Sequence, residues 1–330
     1  MSNIFPAKLK AGDGVRVIAP SRSLALPFID AEAREEAEQK FRTLGLNLSI
    51  SRHANELDEF DSSSIQSRVE DLHDAFSDPT VRLIIPSIGG FNSNQLLRYL
   101  DYDLIRNNPK ILCGYSDITA LTNAIFAKAG LVTYVGPHFF AFGNKKGFEY
   151  TLEHFKKCVM SDEPFDITLS QEWSDDRWAG NQQNRTFLPN DGFWILNGGT
   201  ATGTIIGGNQ CTLNLLHGTD FMPDITDSVL FLEEDAEASP GMVDRDLQSI
   251  IHQPQFEHVR AIVFGRFQRK TAMTRELLTK IVKSKRELDH MPIIANIDFG
   301  HTAPMITIPI GGEVALAADS DNLKITITKH

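Results

Sequence analysis

Ser116 lies in the segment Gly114-Tyr-Ser-Asp-Ile-Thr119, between a short apolar run and an amphipathic one. A serine at such a strand-to-helix junction projects its hydroxyl past the sheet edge. The free amides of the helix N-terminus behind it favour an oxyanion. This pattern is typical of a nucleophile elbow, although Ile118 stands where the usual second glycine would be. On the hexapeptide alone, a simple helix N-cap serine is the better interpretation.

Two adjacent glycines, Gly89 and Gly90, follow a second predicted strand at 81–86. Because they lack side chains, backbone N–H groups there can approach a ligand and point at a developing negative charge. A tight strand-to-helix loop explains the pair equally well. No Gly-Lys-Ser/Thr follows, which excludes a Walker loop, and the GxGxxG dinucleotide fingerprint is absent from the sequence.

An acid and a histidine further along the chain could complete a Ser…Glu…His order. Glu233 and Glu234 end a predicted strand, and His301 follows a glycine after the predicted strand at 293–296. The carboxylate would hold the imidazole tautomer, and the imidazole would take the serine proton. Strand alternation sends only one of the two glutamates into the site. Ten histidines compete for the role of base, and His138 is the serious rival.

In the first half of the chain, short apolar runs typical of strands alternate with longer amphipathic runs typical of helices. This alternation predicts a parallel sheet with crossover helices on both faces, which would position these residues. From about residue 160 this alternation stops, and the segment 170–197 carries all three tryptophans among polar residues. We expect an α/β fold of two domains, 1–165 and 201–330, joined by a tryptophan-bearing loop or linker at 166–200. The predicted strands include 15–20, 81–86, 110–114, 229–232, 260–264, 293–296 and 323–328, with further strands and tight turns over 201–216, and the predicted helices are 30–44, 64–75, 94–104, 118–129 and 274–288.

Composition narrows the class of protein. The 330 residues carry a formal net charge of −11, which argues against a nucleic-acid partner. No stretch approaches the ~18 apolar residues that cross a bilayer, and the N-terminus lacks the apolar core of a signal peptide. Three widely spaced cysteines indicate neither a disulfide framework nor a metal cluster. We therefore expect a cytoplasmic protein with no membrane partner.

Taken together, the motifs resemble the LD-carboxypeptidase family of serine peptidases, which includes the microcin C immunity peptidases. The matching segments run in family order and are LKAGD at 9–13, VIAPS at 17–21, IGG at 88–90, PK at 109–110, GYSDIT at 114–119, LEE at 232–234, FGHT at 299–302 and IPIG at 308–311. The resemblance implies Ser116 as nucleophile, Glu233 as triad acid and His301 as general base. It places the oxyanion hole at the backbone amides of Gly90 and Asp117.

The resemblance also implies an architecture. The N-terminal domain is expected to be Rossmann-like with a parallel sheet, and the C-terminal domain a β-rich α/β domain, with the active site between them. A homodimer is expected, with no metal or organic cofactor.

Two branches of the family differ in substrate. One removes the terminal D-alanine of a muropeptide tetrapeptide, and the other hydrolyses the amide joining an aspartate to a modified nucleotide. The second branch resembles this chain better, because Trp173 and Trp178 offer aromatic faces for a nucleobase, worth ~1–3 kcal/mol per base. Trp178 is the first choice for stacking, and Asn209 is a further candidate for substrate binding. Packing of a domain or dimer interface would explain the tryptophans, including Trp194, equally well.

Two other functions stay open. A non-catalytic nucleotide- or peptide-binding protein could use the same scaffold, because fold alone does not decide function. Such a protein has no reason to assemble Ser116, Glu233 and His301. An esterase of the α/β-hydrolase type is disfavoured by Ile118. The expected partner is thus a small peptide or aminoacyl-nucleotide substrate.

Overall fold

Two β-sheets organise the chain, in a computed structural model that describes residues 3–27, 31–177, 179, 182–319 and 322–330. The strands are β1 Gly14–Ile18, β2 Asn47–Ile50, β3 Val81–Pro86, β4 Ile111–Leu112, β5 Thr133–Val135, β6 Phe165–Asp166, β7 Glu172–Trp173, β8 Leu188–Pro189, β9 Trp194–Asn197, β10 Gly199–Asn209, β11 Ser228–Glu233, β12 Ala261–Gly265, β13 Ile293–Ile297, β14 Ile308–Ile310, β15 Glu313–Asp319 and β16 Asn322–Lys329. The α-helices are α1 Ala31–Thr43, α2 Ile65–Ser77, α3 Tyr102–Asn107, α4 Thr119–Ala129, α5 Glu149–Met160, α6 Gln210–Asn214, α7 Pro240–Ile251 and α8 Arg275–Lys283.

The first sheet has four parallel strands in the order β2-β1-β3-β4. The inner strand β3 reads VRLIIP and is buried at five of six positions, as expected where helices cover both faces. The second sheet has eight strands in the order β6-β16-β15-β10-β11-β12-β13-β9. Strands β10 to β13 run parallel, and antiparallel strands flank them. The predicted α/β class, with a parallel N-terminal sheet and a β-rich C-terminal half, is confirmed.

Helix α4 joins the two sheets. The Asn123 side chain donates to the carbonyl of Gly207 at 2.8 Å, and the backbone amide of Asn209 donates to Thr119 Oγ1 at 2.9 Å. Strand β14, from the C-terminal half, pairs antiparallel with β5 from the N-terminal half. These contacts bring the start of α4 against the carboxyl end of β10, where the parallel strands of the second sheet end.

Three predicted elements differ from the structure. The helix expected at 94–104 is wrong: a 3-10 turn covers Ser93–Leu96, and α3 begins later because the Asp101 carboxylate caps the amide of Leu104 at 2.9 Å. The strand and turn character expected over 201–216 ends at Asn209, whose side chain caps α6. The helix expected at 274–288 stops at Lys283.

The predicted linker 166–200 is built into the second sheet at both ends. Strand β6 pairs with β16, and β9 pairs with β13. Between them, β7 and β8 form a two-stranded ladder. The domain bounds predicted from the sequence stay a prediction. None of the helices within the described ranges is long and apolar enough for a bilayer crossing.

Candidate active site

Ser116 lies in the turn between β4 and α4, in a strained backbone conformation. Its φ of 64° falls in the left-handed region that residues with a side chain rarely adopt. Residues Ser116–Ile118 form a 3-10 turn before α4 begins at Thr119, and neither element receives a side-chain cap. The N-cap interpretation of Ser116 is therefore wrong. The conformation is that of a nucleophile elbow, even though Ile118 replaces the usual glycine.

The paired glycines lie against the serine turn. A Cβ on Gly89 would stand 3.0 Å from Ser116 Oγ and 3.6 Å from the amide nitrogen of Asp117. A Cβ on Gly90 would stand 2.3 Å from Ser21 Oγ. Glycine is required at both positions by close packing, and the backbone of this loop consequently reaches the serine hydroxyl.

The Asp117 carboxylate ties the glycine loop to the serine turn. Its Oδ2 accepts hydrogen bonds from the amides of Asn92 at 3.0 Å and Ser93 at 2.9 Å, and from Ser21 Oγ at 2.5 Å. Sequence reasoning considers only the backbone amide of Asp117 and misses this positioning role of its side chain. The available signal is that 21 and 92–93 both follow strands of one parallel sheet, β1 and β3, whose carboxyl ends share an edge.

His301 and Glu233 form a hydrogen-bonded pair. Nδ1 of the imidazole lies 2.6 Å from Oε2 of the carboxylate, and Glu233 is 1% exposed at the end of β11. Burial lowers the pKa of His301. The charge and hydrogen bond of Glu233, helped by the charge of Asp235, outweigh that effect and hold the pKa above its ordinary value. Of the two adjacent glutamates, Glu233 is the one that meets the histidine.

Glu234 is a buried acid that lies beside this pair. It is 2% exposed, and its Oε1 has no hydrogen-bond partner within the described ranges. Burial, followed by the charges of Glu233, Asp246 and Asp235, raises the pKa of Glu234 to about 8. The side chain is therefore largely protonated at neutral pH.

The rival histidine, His138, lies next to the site as a neutral ring. It stacks on Tyr115 with ring centroids 4.8 Å apart, and its Nδ1 accepts the amide of Ala141 at 3.1 Å. Burial and the charge of His301 lower the pKa of His138 to about 3. Tyr115 also meets His301 edge-on at 5.1 Å. Tyr115, which the sequence does not single out, thus lies between the two imidazoles.

Ser116 Oγ and the second imidazole nitrogen of His301 are both unengaged. Within the described part of the chain, neither atom makes a hydrogen bond, and the His301 side chain is 16% exposed. Loose hydrogen bonds between catalytic groups are common before substrate binds. No group of three or more His, Cys, Asp or Glu side chains in these same ranges has an arrangement that could hold a metal ion.

The candidate substrate-binding residues occupy different surroundings. The guanidinium of Arg266 covers the Trp173 ring at 4.9 Å, and Trp194, on edge strand β9, packs against the core. Trp178 lies outside the described residues. Asn209 is opposite Glu233 in the parallel register of β10 and β11, and its Oδ1 accepts from the amide and hydroxyl of Thr212. Among the candidates that the structure describes, Asn209 is thus the one placed next to the acid, and the binding roles stay predictions.

The strained serine follows a strand of one sheet, and the histidine–carboxylate pair lies at the end of the other. The chain belongs to the LD-carboxypeptidase family of serine peptidases. The model of the family's N-terminal domain matches 15–136, and that of its C-terminal domain matches 202–316. The family predicted from the motifs is therefore confirmed.

Curated relatives cover nearly the whole chain. The putative carboxypeptidase YocD of Bacillus subtilis is 52% identical over 99% of this chain and 100% of its own length. The microcin C7 self-immunity protein MccF of Escherichia coli is 33% identical over 87% of this chain and 85% of its own. A probable murein peptide carboxypeptidase of Bacillus subtilis is 28% identical over 95% and 92%.

Solved structures agree with this assignment. An MccF-like protein from Bacillus anthracis superposes with a TM-score of 0.97 at 50% identity, covering 99% of this chain and 100% of its own. MccF in complex with glutamyl sulfamoyl guanosine gives a TM-score of 0.88 at 30% identity, covering 98% of both chains. A tryptophan-to-phenylalanine mutant of MccF in complex with adenosine monophosphate gives 0.88 at 30%, covering 99% of both.

Proposed function

We propose that this chain is an amide hydrolase in which Ser116, His301 and Glu233 act as a catalytic triad. The observation that carries the proposal is the 2.6 Å hydrogen bond between His301 Nδ1 and Glu233 Oε2. A carboxylate that holds the proton on Nδ1 leaves the other ring nitrogen free to act as a base. A protein that only binds its ligand has no use for this pair.

The reaction would proceed through an ester on Ser116. Its oxygen attacks the amide carbonyl while His301 takes the hydroxyl proton, and the backbone amides of Gly90 and Asp117 stabilise the oxyanion. His301 then donates this proton to the leaving nitrogen as the C–N bond breaks. A water molecule attacks the ester with the same base, which releases the acid and restores the serine. One water is consumed for each amide cleaved.

The proposed substrate is an acidic amino acid joined by an amide to a nucleotide. The support is that MccF, which is 33% identical to this chain, has been solved with glutamyl sulfamoyl guanosine and, as a tryptophan mutant, with adenosine monophosphate. Trp178 is the proposed stacking residue, with Trp173 and Asn209 as further contacts. A muropeptide ending in D-alanine is the second candidate, because a relative named a probable murein peptide carboxypeptidase is 28% identical over 95% of the chain.

We further propose a cytoplasmic homodimer, with the site between the domains 1–165 and 201–330. The support is the resemblance to the LD-carboxypeptidase family. Sedimentation velocity of the purified protein at micromolar concentration should give a single species of twice the chain mass. A species of one chain mass would contradict the dimer and leave the chemistry of the site unaffected.

The test of function is a side-by-side assay of an aspartyl-nucleotide amide and a D-alanine-terminated tetrapeptide, with wild type and Ser116→Ala. We expect the nucleotide amide to have the higher kcat/KM. Loss of a triad serine should reduce kcat by roughly 10⁶-fold on either substrate. Faster cleavage of the tetrapeptide would show that the substrate is a muropeptide and not a nucleotide amide. A Ser116→Ala variant with a tenth of wild-type turnover would exclude the triad, and binding without cleavage would favour the non-catalytic alternative.

A further inference from the structure

A buried ion pair joins Arg266 to Asp298, at the carboxyl ends of two neighbouring strands. Arg266 follows β12 and is 2% exposed, and Asp298 follows β13 and is 0% exposed. Nη2 of the arginine lies 3.1 Å from Oδ1 of the aspartate. His301 comes three residues after Asp298. The pair is therefore built into the start of the loop that carries the candidate base.

Both ends of the tryptophan segment, which we define as residues 170–192, are bonded to this pair. At one end, the amide of Ser170 donates to Asp298 Oδ2 at 2.8 Å. At the other end, Asn190 Oδ1 accepts from Arg266 Nη2 at 2.8 Å. Asn190 Nδ2 also donates to Ser170 Oγ at 3.1 Å, so the two ends are bonded to each other. One carboxylate and one guanidinium thus close the base of a segment that carries two of the three tryptophans.

The guanidinium of Arg266 makes three further contacts. Its Nη1 donates to Asp191 Oδ1 at 3.2 Å and to Asn296 Oδ1 at 2.9 Å. The face of the group covers the Trp173 ring at 4.9 Å. A planar guanidinium presents its donors in fixed directions, which the point charge of a lysine does not. Arg266 consequently holds the tryptophan segment in one orientation as well as at one place.

The tryptophan segment also bonds directly to the loop of the base. The amide of Ser174 donates to the carbonyl of Ala303 at 2.7 Å, and the amide of Ala303 donates back at 2.8 Å. Ala303 comes two residues after His301. The loop is closed by a bond from the amide of Ile306 to the carbonyl of Asp298 at 2.7 Å. The segment and the loop are therefore held together at two points, one on either side of His301 in the chain.

We propose that Arg266 and Asp298 are positioning residues, which fix the tryptophan segment and its nucleotide contacts relative to His301. Removing two charges from water is costly, so a buried ion pair is a weak means of stabilising a fold. The value of such a pair is that it specifies one arrangement of the groups bonded to it. Both side chains act through the segment and not on the substrate. The assignment rests on the proposed function for the nucleotide, and it adds what determines the position of the nucleotide contacts.

The test compares Arg266→Lys with wild type in hydrolysis of the aspartyl-nucleotide amide. Lysine keeps the charge but cannot bond the aspartate and both ends of the segment together. We expect KM to rise by about tenfold, because loss of base stacking alone has an effect of this size. The bond between His301 and Glu233 is left intact. The value of kcat should therefore stay within about threefold, and the acidic limb of its pH profile should not move.

Arg260→Lys is the matched control, because it makes the same exchange at the opposite end of β12. The Arg260 Nε bonds the Asp227 carboxylate at 2.8 Å, and the arginine side chain is 57% exposed. Surface ion pairs contribute little, so both kinetic constants should stay within about twofold of wild type. A fall in kcat with unchanged KM in Arg266→Lys would overturn the positioning role.

A second variant releases the segment and keeps the buried pair. Asn190→Ala combined with Asp191→Ala removes two contacts of Arg266, and the Asp191 side chain is 63% exposed. This variant should reproduce the rise in KM, and it decides the question if Arg266→Lys fails to fold in a thermal melt. Added to Arg266→Lys, it should raise KM by no more than about twofold further, because all three changes break the same contacts. Effects that multiply would overturn the proposal.

The same assay separates the positioning role from the proposed function. If wild type does not cleave the nucleotide amide, the proposed function is wrong and the assignment of Arg266 and Asp298 is wrong with it. If wild type cleaves the amide and both sets of variants keep its KM, the positioning role alone is wrong. A rise in KM at constant kcat in both sets, with the control unchanged, supports the proposal.

Discussion

Gly300 and Glu233 approach each other so closely that a side chain on residue 300 would take the place of the carboxylate. A Cβ on Gly300 would stand 2.4 Å from Glu233 Oε2, and the backbone φ there is 97°. The same oxygen accepts the hydrogen bond from His301 Nδ1. The glycine therefore allows the loop that carries the base to lie on the end of β11, where the acid is.

Gly300→Ala should separate this pair and lower kcat by about 100-fold, because a displacement of about 1 Å in a catalytic group has an effect of this size. The control is Gly218→Ala, which has a comparable positive φ of 74° but no atom within 4 Å of the added Cβ. Kinetics and thermal melts of both variants separate the effect of backbone strain at a positive φ from the effect of displacing Glu233 from His301. Equal loss of activity in the two variants would show that backbone strain alone is responsible.

The sequence places the serine, the acid and the base at or soon after the ends of strands, and the carboxyl ends of parallel strands gather functional groups. The roles of the three residues are predicted by the resemblance to the family and not by the local pattern. It does not predict the side-chain contact between Asp117 and Ser21. Those residues are 96 positions apart, and only the strand order places them together. The helix predicted at 94–104 is wrong because the Asp101 side chain caps a helix that begins later, and hydrophobic periodicity does not reveal such a cap.

Glu233→Gln and Glu234→Gln should differ sharply, although the two residues are adjacent. Only Glu233 bonds His301, and loss of a triad acid lowers kcat by roughly 10³ to 10⁴-fold. Because the charge of Glu233 raises the pKa of His301, the acidic limb of kcat/KM should also move to lower pH in this variant. Glu234→Gln should keep activity within about tenfold. Profiles from pH 5 to 9 test both statements. Equal losses would contradict the predicted difference, and a larger loss in Glu234→Gln would reverse the assignment of the acid.

Alanine variants of the three tryptophans should separate the proposed substrate contacts, Trp178 and Trp173, from Trp194, which supports the fold. Trp178→Ala should raise KM for the nucleotide amide by about 5- to 100-fold with little change in kcat, since stacking is worth ~1–3 kcal/mol. Trp178→Phe keeps an aromatic face and is the matched control. Trp194 packs against the core, so its alanine variant should mainly lower Tm. Trp173 is covered by the Arg266 guanidinium and is a proposed further contact, so Trp173→Ala should lower Tm and also raise KM. Unchanged KM in all three alanine variants would make the segment structural.

Glu234 should make the fold less stable as the pH rises. Its pKa is raised from an ordinary 4.5 to about 8 in the folded protein. The folded state therefore holds this proton more tightly than the unfolded state. The stabilisation is complete below pH 4.5 and is lost as the pH rises to about 8. A shift of this size corresponds to a few kcal/mol, on the order of 1.4 kcal/mol per pH unit.

The comparison of Glu234→Gln with wild type isolates this effect, because glutamine has the shape of the protonated acid and does not titrate. Urea unfolding at pH 5, 7 and 9 should give the variant a growing advantage in free energy of unfolding. Glu59→Gln, at an exposed side chain, is the matched control and should show the same difference from wild type at every pH. An advantage of Glu234→Gln that stays constant from pH 5 to 9 would mean that Glu234 is ionised throughout. A buried negative charge would then lie beside Glu233, and two carboxylates rather than one would raise the pKa of His301.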